Sequence, residues 1–179
     1  VKPLLALLAC ATLAAASTAI AQTRPPPSPS AATEIAALMK AGNLGEALAR
    51  AEARLQDNPR DAQVRFMRGV ILTEQGKPVE ATAVFEALTQ EFPELPEPYN
   101  NLAVLQAAQG RYDSAWRLLQ QALAAQPSYV TAHENLGDLH LSMAEAAYGR
   151  AAGLDAGNRV VKAKLELARE MNARIRAAR

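Results

Sequence analysis

His133 and Glu134 open the pattern by which one helix face binds zinc, with the histidine as ligand and the glutamate as general base. The second histidine belongs four residues on, and that position is Gly137. His140 is seven residues from His133, about two helical turns or roughly 10 Å of rise, which is too far to share one ion comfortably. No glycine-rich phosphate loop is present, and the serines and threonines have no paired base that would activate them. Cys10 is the single cysteine, so the chain beyond it offers no disulfide, thiolate nucleophile or cysteine-ligated metal. These residues imply no catalytic site, no metal and no cofactor.

A different chemistry is available to Asn101 and Asn135, since a carboxamide donates and accepts hydrogen bonds at once. They are thirty-four residues apart, and that spacing recurs along the chain. Gly42, Gly76 and Gly110 keep it, as do Ala47, Ala81 and Ala115, and Pro59, Pro93 and Pro127. Three residue classes holding one period imply stacked supersecondary units rather than a single globular core. Each class suits one place in a helix–turn–helix unit. The glycines end first helices with a left-handed residue. The prolines restrict the residue before them and stop second helices. The alanines, five residues after each glycine, let the second helix approach the first.

With these residues in place the chain resembles the tetratricopeptide repeat family. The clearest copy spans 96–129, with Tyr99, Leu102, Ala103, Gly110, Tyr112, Ala115, Leu119, Ala122 and Pro127 on the motif positions. The copy at 62–95 keeps Gly69, Gly76, Ala81, Phe85 and Pro93, but has Leu88 where a small residue is usual. The copy at 28–61 keeps Gly42, Ala47 and Pro59, with Ile35 and Arg54 at two usually small positions, so looser packing is expected there. Terminal units of stacked arrays are often atypical. The resemblance implies an all-α fold, a right-handed superhelical stack of antiparallel helix pairs. It also implies close packing at Gly69, Ala81, Ala115 and Gly137. His133 and His140, matching Tyr99 and Gln106 of the preceding unit, then read as packing residues.

The resemblance further implies a concave groove lined by the first helices, with candidate partner-binding residues Phe66, Val70, Asn100, Asn101, Val104, Asn135 and Asp138. In such arrays, asparagines at the position of Asn101 and Asn135 form a ladder that grips the backbone of an extended peptide. The equivalent residue one unit earlier is Met67, which limits the ladder to two rungs. The lysine and further basic residues of a carboxylate-gripping groove are missing from Phe66, Val70, Asn100 and Val104.

A fourth unit, 130–158, is shortened: GRAAGLDAGN arrives about five residues too early for an ordinary turn. A compressed turn near Ser142 and Met143 is the expected solution, with one long bent helix from Tyr129 to Leu154 as the alternative. Residues 159–179 then form a capping helix, with Val161, Leu165, Ala168 and Ile175 at helical spacing.

Residues 1–21 pose a separate problem. Lys2, the uncharged apolar run from Leu4 to Ala16 and the Ala19-Ile20-Ala21 site read as a secretory signal peptide cleaved after Ala21. A lipoprotein reading at Cys10 is disfavoured, because most of the apolar run would lie beyond the cysteine. Residues 22–30 are a Pro/Ser-rich linker. Without residues 1–21 the chain carries 18 acidic groups and, Lys2 having gone from the 19 basic ones, no net charge, which argues against general polyanion binding. Residues 159–179 nevertheless hold seven Lys or Arg against Glu166 and Glu170. The sequence thus leads to a non-catalytic, periplasmic scaffold for an envelope protein partner, without nucleic acid or stable membrane insertion. The alternative is a module that self-associates through its basic end helix or a terminal repeat.

Overall fold

The computed structural model describes residues 30–178, so the expected signal peptide and nearly all of the linker lie outside the described residues. The described part consists of eight α-helices with no strand among the described residues: α1 (Ala31–Lys40), α2 (Leu44–Asp57), α3 (Ala62–Glu74), α4 (Pro78–Glu91), α5 (Pro96–Ala108), α6 (Tyr112–Ala125), α7 (Val130–Leu154) and α8 (Arg159–Ala178). Consecutive helices pack on one another, and α1 also meets α3 as α5 meets α7, which is the neighbour-on-neighbour arrangement of a helical solenoid.

Local chemistry accounts for the hairpins and links. Gly42, Gly76 and Gly110 have φ of 76°, 70° and 73°, the left-handed conformation that side-chain-bearing residues avoid. Each closes the same motif. The glycine N–H donates to Met39, Thr73 or Ala107, and the next N–H donates to Leu38, Leu72 or Gln106, satisfying carbonyls that the helix end would orphan. Asn58, Phe92 and Gln126 end the second helices with ψ of 82°, 65° and 95°, outside the helical region that a following proline disfavours. At the start of the array, the Ser30 hydroxyl accepts from the Thr33 N–H, and one unit later the Asp61 carboxylate accepts from the Val64 N–H.

The core is built where these pairs meet. Ala47, Ala81 and Ala115 are fully buried on their second helices. Gly69 on α3 faces Phe85 so closely that a Cβ there would lie 2.6 Å from the ring. The first unit is not loosely packed as expected: Ile35 is fully buried with Ala47, Ala51, Val64 and Ile71. Its larger side chain fills the space that alanine neighbours on α2 leave. Leu88 is likewise fully buried, joining Phe85, Leu102 and Leu105 across the second and third units.

The Arg65 guanidinium pairs with both carboxylate oxygens of Glu91 at 2.8 Å, tying α3 to the end of α4, and lies 5.9 Å from the Phe92 ring centroid. Hydrogen bonding to Arg65 holds the Glu91 carboxyl below its usual range and raises Arg65. A carboxyl depressed in the folded state stabilises above its unfolded pKa, and that contribution is lost as pH falls through the folded value. Urea titrations across the acid range should therefore show Glu91→Gln with a shallower loss of stability than the parent. Identical acid slopes would rule out this pair as a contributor.

The fourth unit departs from the expectation. No turn forms at Ser142 and Met143, and α7 is one continuous helix of 25 residues. The residue thirty-four after Gly110 is Ala144, which has the highest helix propensity and no access to the left-handed turn at low cost. Its end confirms the fusion of two helices. Asp155, with φ −134° and ψ 88°, repeats the link geometry of Asn58, at −137° and 82°, and arrives five residues before the register of Asn58, Phe92 and Gln126 would place it. The Asn158 N–H donates to the Asp155 carbonyl, as Asp61, Leu95 and Tyr129 do to the earlier link caps. Consequently the second half of α7 cannot fold back over the first. Gly137, expected to be a packing residue, is exposed, with nothing within 4 Å of an added Cβ. His133 and His140 are also exposed rather than packed, unlike the buried Tyr99 and Gln106.

α8 packs instead along the later part of α7 through Leu165, Ala168 and Asn172, all buried. The Asn172 amide donates to Glu145 Oε2 at 2.7 Å and to the Leu141 carbonyl at 3.4 Å, while Arg169 approaches the same carboxylate. This polar cluster sets the register of the final helix pair.

Candidate functional site

A half-open cleft of about 420 Å³ lies between α5 and α7, with α6 beneath and the end of α8 at one side. Ala103 and Ala107 keep the α5 wall low, and Tyr112 and Leu119 supply an apolar floor. Asn135, Asp138 and Ser142 on α7 and Arg176 on α8 give the rim its polar groups. The elements explain the shape. Pro96 at the first position of α5 and the αL turn at Gly110 fix the α5–α6 hairpin, and the buried Ala115 sets how closely its helices approach.

Three of the expected groove residues, Val104, Asn135 and Asp138, line this cleft. Val104 is 36% exposed. Both asparagines of the expected ladder make contacts within the chain. The Asn101 amide donates to the Glu97 carbonyl of its own helix at 2.9 Å. The Asn135 amide donates to Asn100 Oδ1 at 2.8 Å. Asn100 is only 4% exposed, and a buried acceptor costs more to leave unmet than a surface one. That cost directs Asn135 across the α5–α7 interface. Phe66 and Val70 are half-buried and pack against the Phe85 cluster, with the Phe66 and Phe85 ring centroids 5.7 Å apart.

The His133 ring Nε2 is 2.9 Å from the Pro127 carbonyl oxygen, to which it donates as an Nε2–H tautomer. Burial is the main reason that the Tyr129 hydroxyl is raised above its usual pKa, with nearby Glu97 adding to it. Among the described residues no group of three or more His, Cys, Asp or Glu stands close enough to hold a metal ion. Sequence reasoning did not single out Arg176 or Ser142 as cleft residues, and no local pattern marks them. Arg176 arrives only because α8 runs back along the fused α7.

Comparison with known proteins agrees with this architecture. Tetratricopeptide repeat family models match residues 33–96 and 72–136, which together span more than half of the chain. The chain belongs to the tetratricopeptide repeat family. A relative, the TPR repeat-containing thioredoxin TTL4 of Arabidopsis thaliana, is 33% identical over 82 residues, 46% of this chain. The match spans only 12% of that protein's length. Among solved structures, YrrB, described as a TPR protein with an unusual peptide-binding site, aligns with a TM-score of 0.54 at 25% identity, covering 59% of this chain and 54% of YrrB. MamA aligns with a TM-score of 0.55 at 20% identity over 78% of this chain and 84% of its own. Pseudomonas aeruginosa PilF gives 0.58 at 18% identity over 80% and 68%. The last two likenesses concern the fold alone. The repeat fold is an architecture suited to protein–protein interaction, and no described helix is long and apolar enough to cross a membrane.

Proposed function

We propose that this protein is a non-catalytic adaptor of the bacterial cell envelope, exported to the periplasm, that holds an extended segment of a partner protein in the α5–α7 cleft. The observation that carries the reading is the cleft itself: an apolar floor with a few polar rim groups is the composition that peptide and ligand sites favour. The peptide-binding description of YrrB supports the same use of the fold. Asn135, Asp138 and Val104 lie on its walls.

The test is a pulldown from envelope extract with residues 22–179, followed by affinity measurement on the captured segment. Val104→Glu places a carboxylate over an apolar floor at an exposed site, so the fold should survive. Binding should fall at least about tenfold, on the scale of burying an unpaired charge. Undiminished binding would remove the cleft from consideration.

A second reading, self-association through the basic end helix, is favoured by Leu167 and Met171, which are exposed on α8 although large and apolar. Light scattering on residues 22–179 decides it: a concentration-dependent dimer lost in Leu167→Ser supports self-association, and a monomer at high concentration rejects it.

A further inference from the structure

We propose that the projecting tip where α7 joins α8 docks on a lipid bilayer that carries anionic headgroups. The preceding first helices α3 and α5 stop at Glu74 and Ala108, thirty-four residues apart, and the next such stop would be Ser142. α7 continues twelve residues further, to Leu154, about 18 Å at the rise of an α-helix. Leu154, its last residue, is 91% exposed, and Val160, just across the link, is 65% exposed. Two large aliphatic side chains thus stand at an apex that no other part of the described chain covers.

Cations surround them. Arg150, Arg159, Lys162 and Lys164 are all exposed, and among the described residues none has a carboxylate within ion-pair distance. Asp155 is the one acidic group in the link, and its Oδ1 accepts from the Gly157 N–H. Four positive charges against one leave the tip strongly cationic in a chain whose net charge is only +1. Arg159 and Lys162 also occupy the first turn of α8, which contains no acidic residue. Positive charge there opposes the helix dipole, so local helix stability does not account for it. A rule broken locally with no compensating contact marks a position shaped by something outside the fold.

The aliphatic apex decides between anionic surfaces. Nucleic-acid phosphates would use the cations but leave Leu154 and Val160 in water, whereas a bilayer takes the aliphatic side chains at its headgroup–acyl boundary and the cations at its phosphates. Tyr148, with the Lys164 ammonium 5.8 Å from its ring centroid, adds the amphipathic aromatic that such boundaries accept.

The chain from Gln22 keeps all eight helices and contains no cysteine, so a single introduced cysteine can carry an environment-sensitive fluorophore. Leu154→Cys reports the tip, and Asn43→Cys, in the exposed α1–α2 turn, serves as the distant control. Vesicles of equimolar phosphatidylglycerol and phosphatidylcholine should shift the emission of the tip label to the blue and leave the control unchanged. Phosphatidylcholine alone should shift neither. Arg159→Gln with Lys162→Gln, both at exposed sites, should weaken partitioning by about 25-fold, roughly fivefold per cation. Added salt should weaken it as well. An equal response to neutral and anionic vesicles, a tip label that does not respond, or charge variants that bind like the parent would each overturn the proposal. So would tight binding of a DNA duplex that the same two substitutions abolish while vesicles leave the tip label unmoved.

Discussion

Phe85→Ala is expected to destabilise the protein by about 3 to 5 kcal/mol, the range for removing a fully buried aromatic ring. Phe85 is fully buried, touches Phe66, and joins α4 to Leu102 and Leu105 of the following unit. Directly opposite the ring is Gly69, whose lack of a side chain makes room for it. The void cannot collapse from that side, which places the cost high in the range. Gly69→Leu in the parent should be destabilising for the converse reason, because its Cβ alone would overlap the ring. In the Phe85→Ala background, however, Gly69→Leu should recover part of the loss, since residues in contact are not additive. Urea unfolding of the four proteins measures the coupling, and additive effects would show that the ring and the glycine do not share one space.

Ala115→Leu is the second large effect, a loss of about 1 to 3 kcal/mol from forcing three further heavy atoms into a filled contact. Ala115 is fully buried, packs with Tyr99, Ala103 and Leu119, and borders the cleft floor. Ala81→Leu, also fully buried one unit earlier, should behave alike. The informative contrast is Gly137→Ala. Were α7 folded back as a hairpin, that position would be a close packing site and the added methyl would cost stability. In the fused helix it meets nothing, and exchanging glycine for alanine in an exposed helix should stabilise by about 1 kcal/mol. Thermal melts in which Gly137→Ala destabilises as Ala115→Leu does would argue for a hairpin in place of the fused α7.

What the sequence determined by itself is what single residues demand of their own backbone. A glycine that ends a helix, a proline that stops one and an alanine that permits close approach act within a few residues of themselves, so their period exposes the hairpins, the links and the stacked architecture. Tertiary structure decided the matters in which one group had several partners to choose from. The Asn135 amide could have met its own helix or a neighbour, and the burial of Asn100 favours the neighbour by making an unmet acceptor costly. The Arg65–Glu91 pair and the Asn172–Glu145 contact join residues 26 and 27 positions apart, at no repeat spacing and with no local pattern to announce them. Ile35 broke the usual size pattern without loosening the core, because the alanines packed around it left space that only the assembled unit reveals. The fourth unit lies between the two cases. Its missing five residues and the alanine in place of a turn glycine are legible in the chain. Whether they squeeze a turn or fuse two helices is a competition between turn strain and uninterrupted helical hydrogen bonding, and α7 shows that the helix won because no residue near Ser142 could take the left-handed turn without strain.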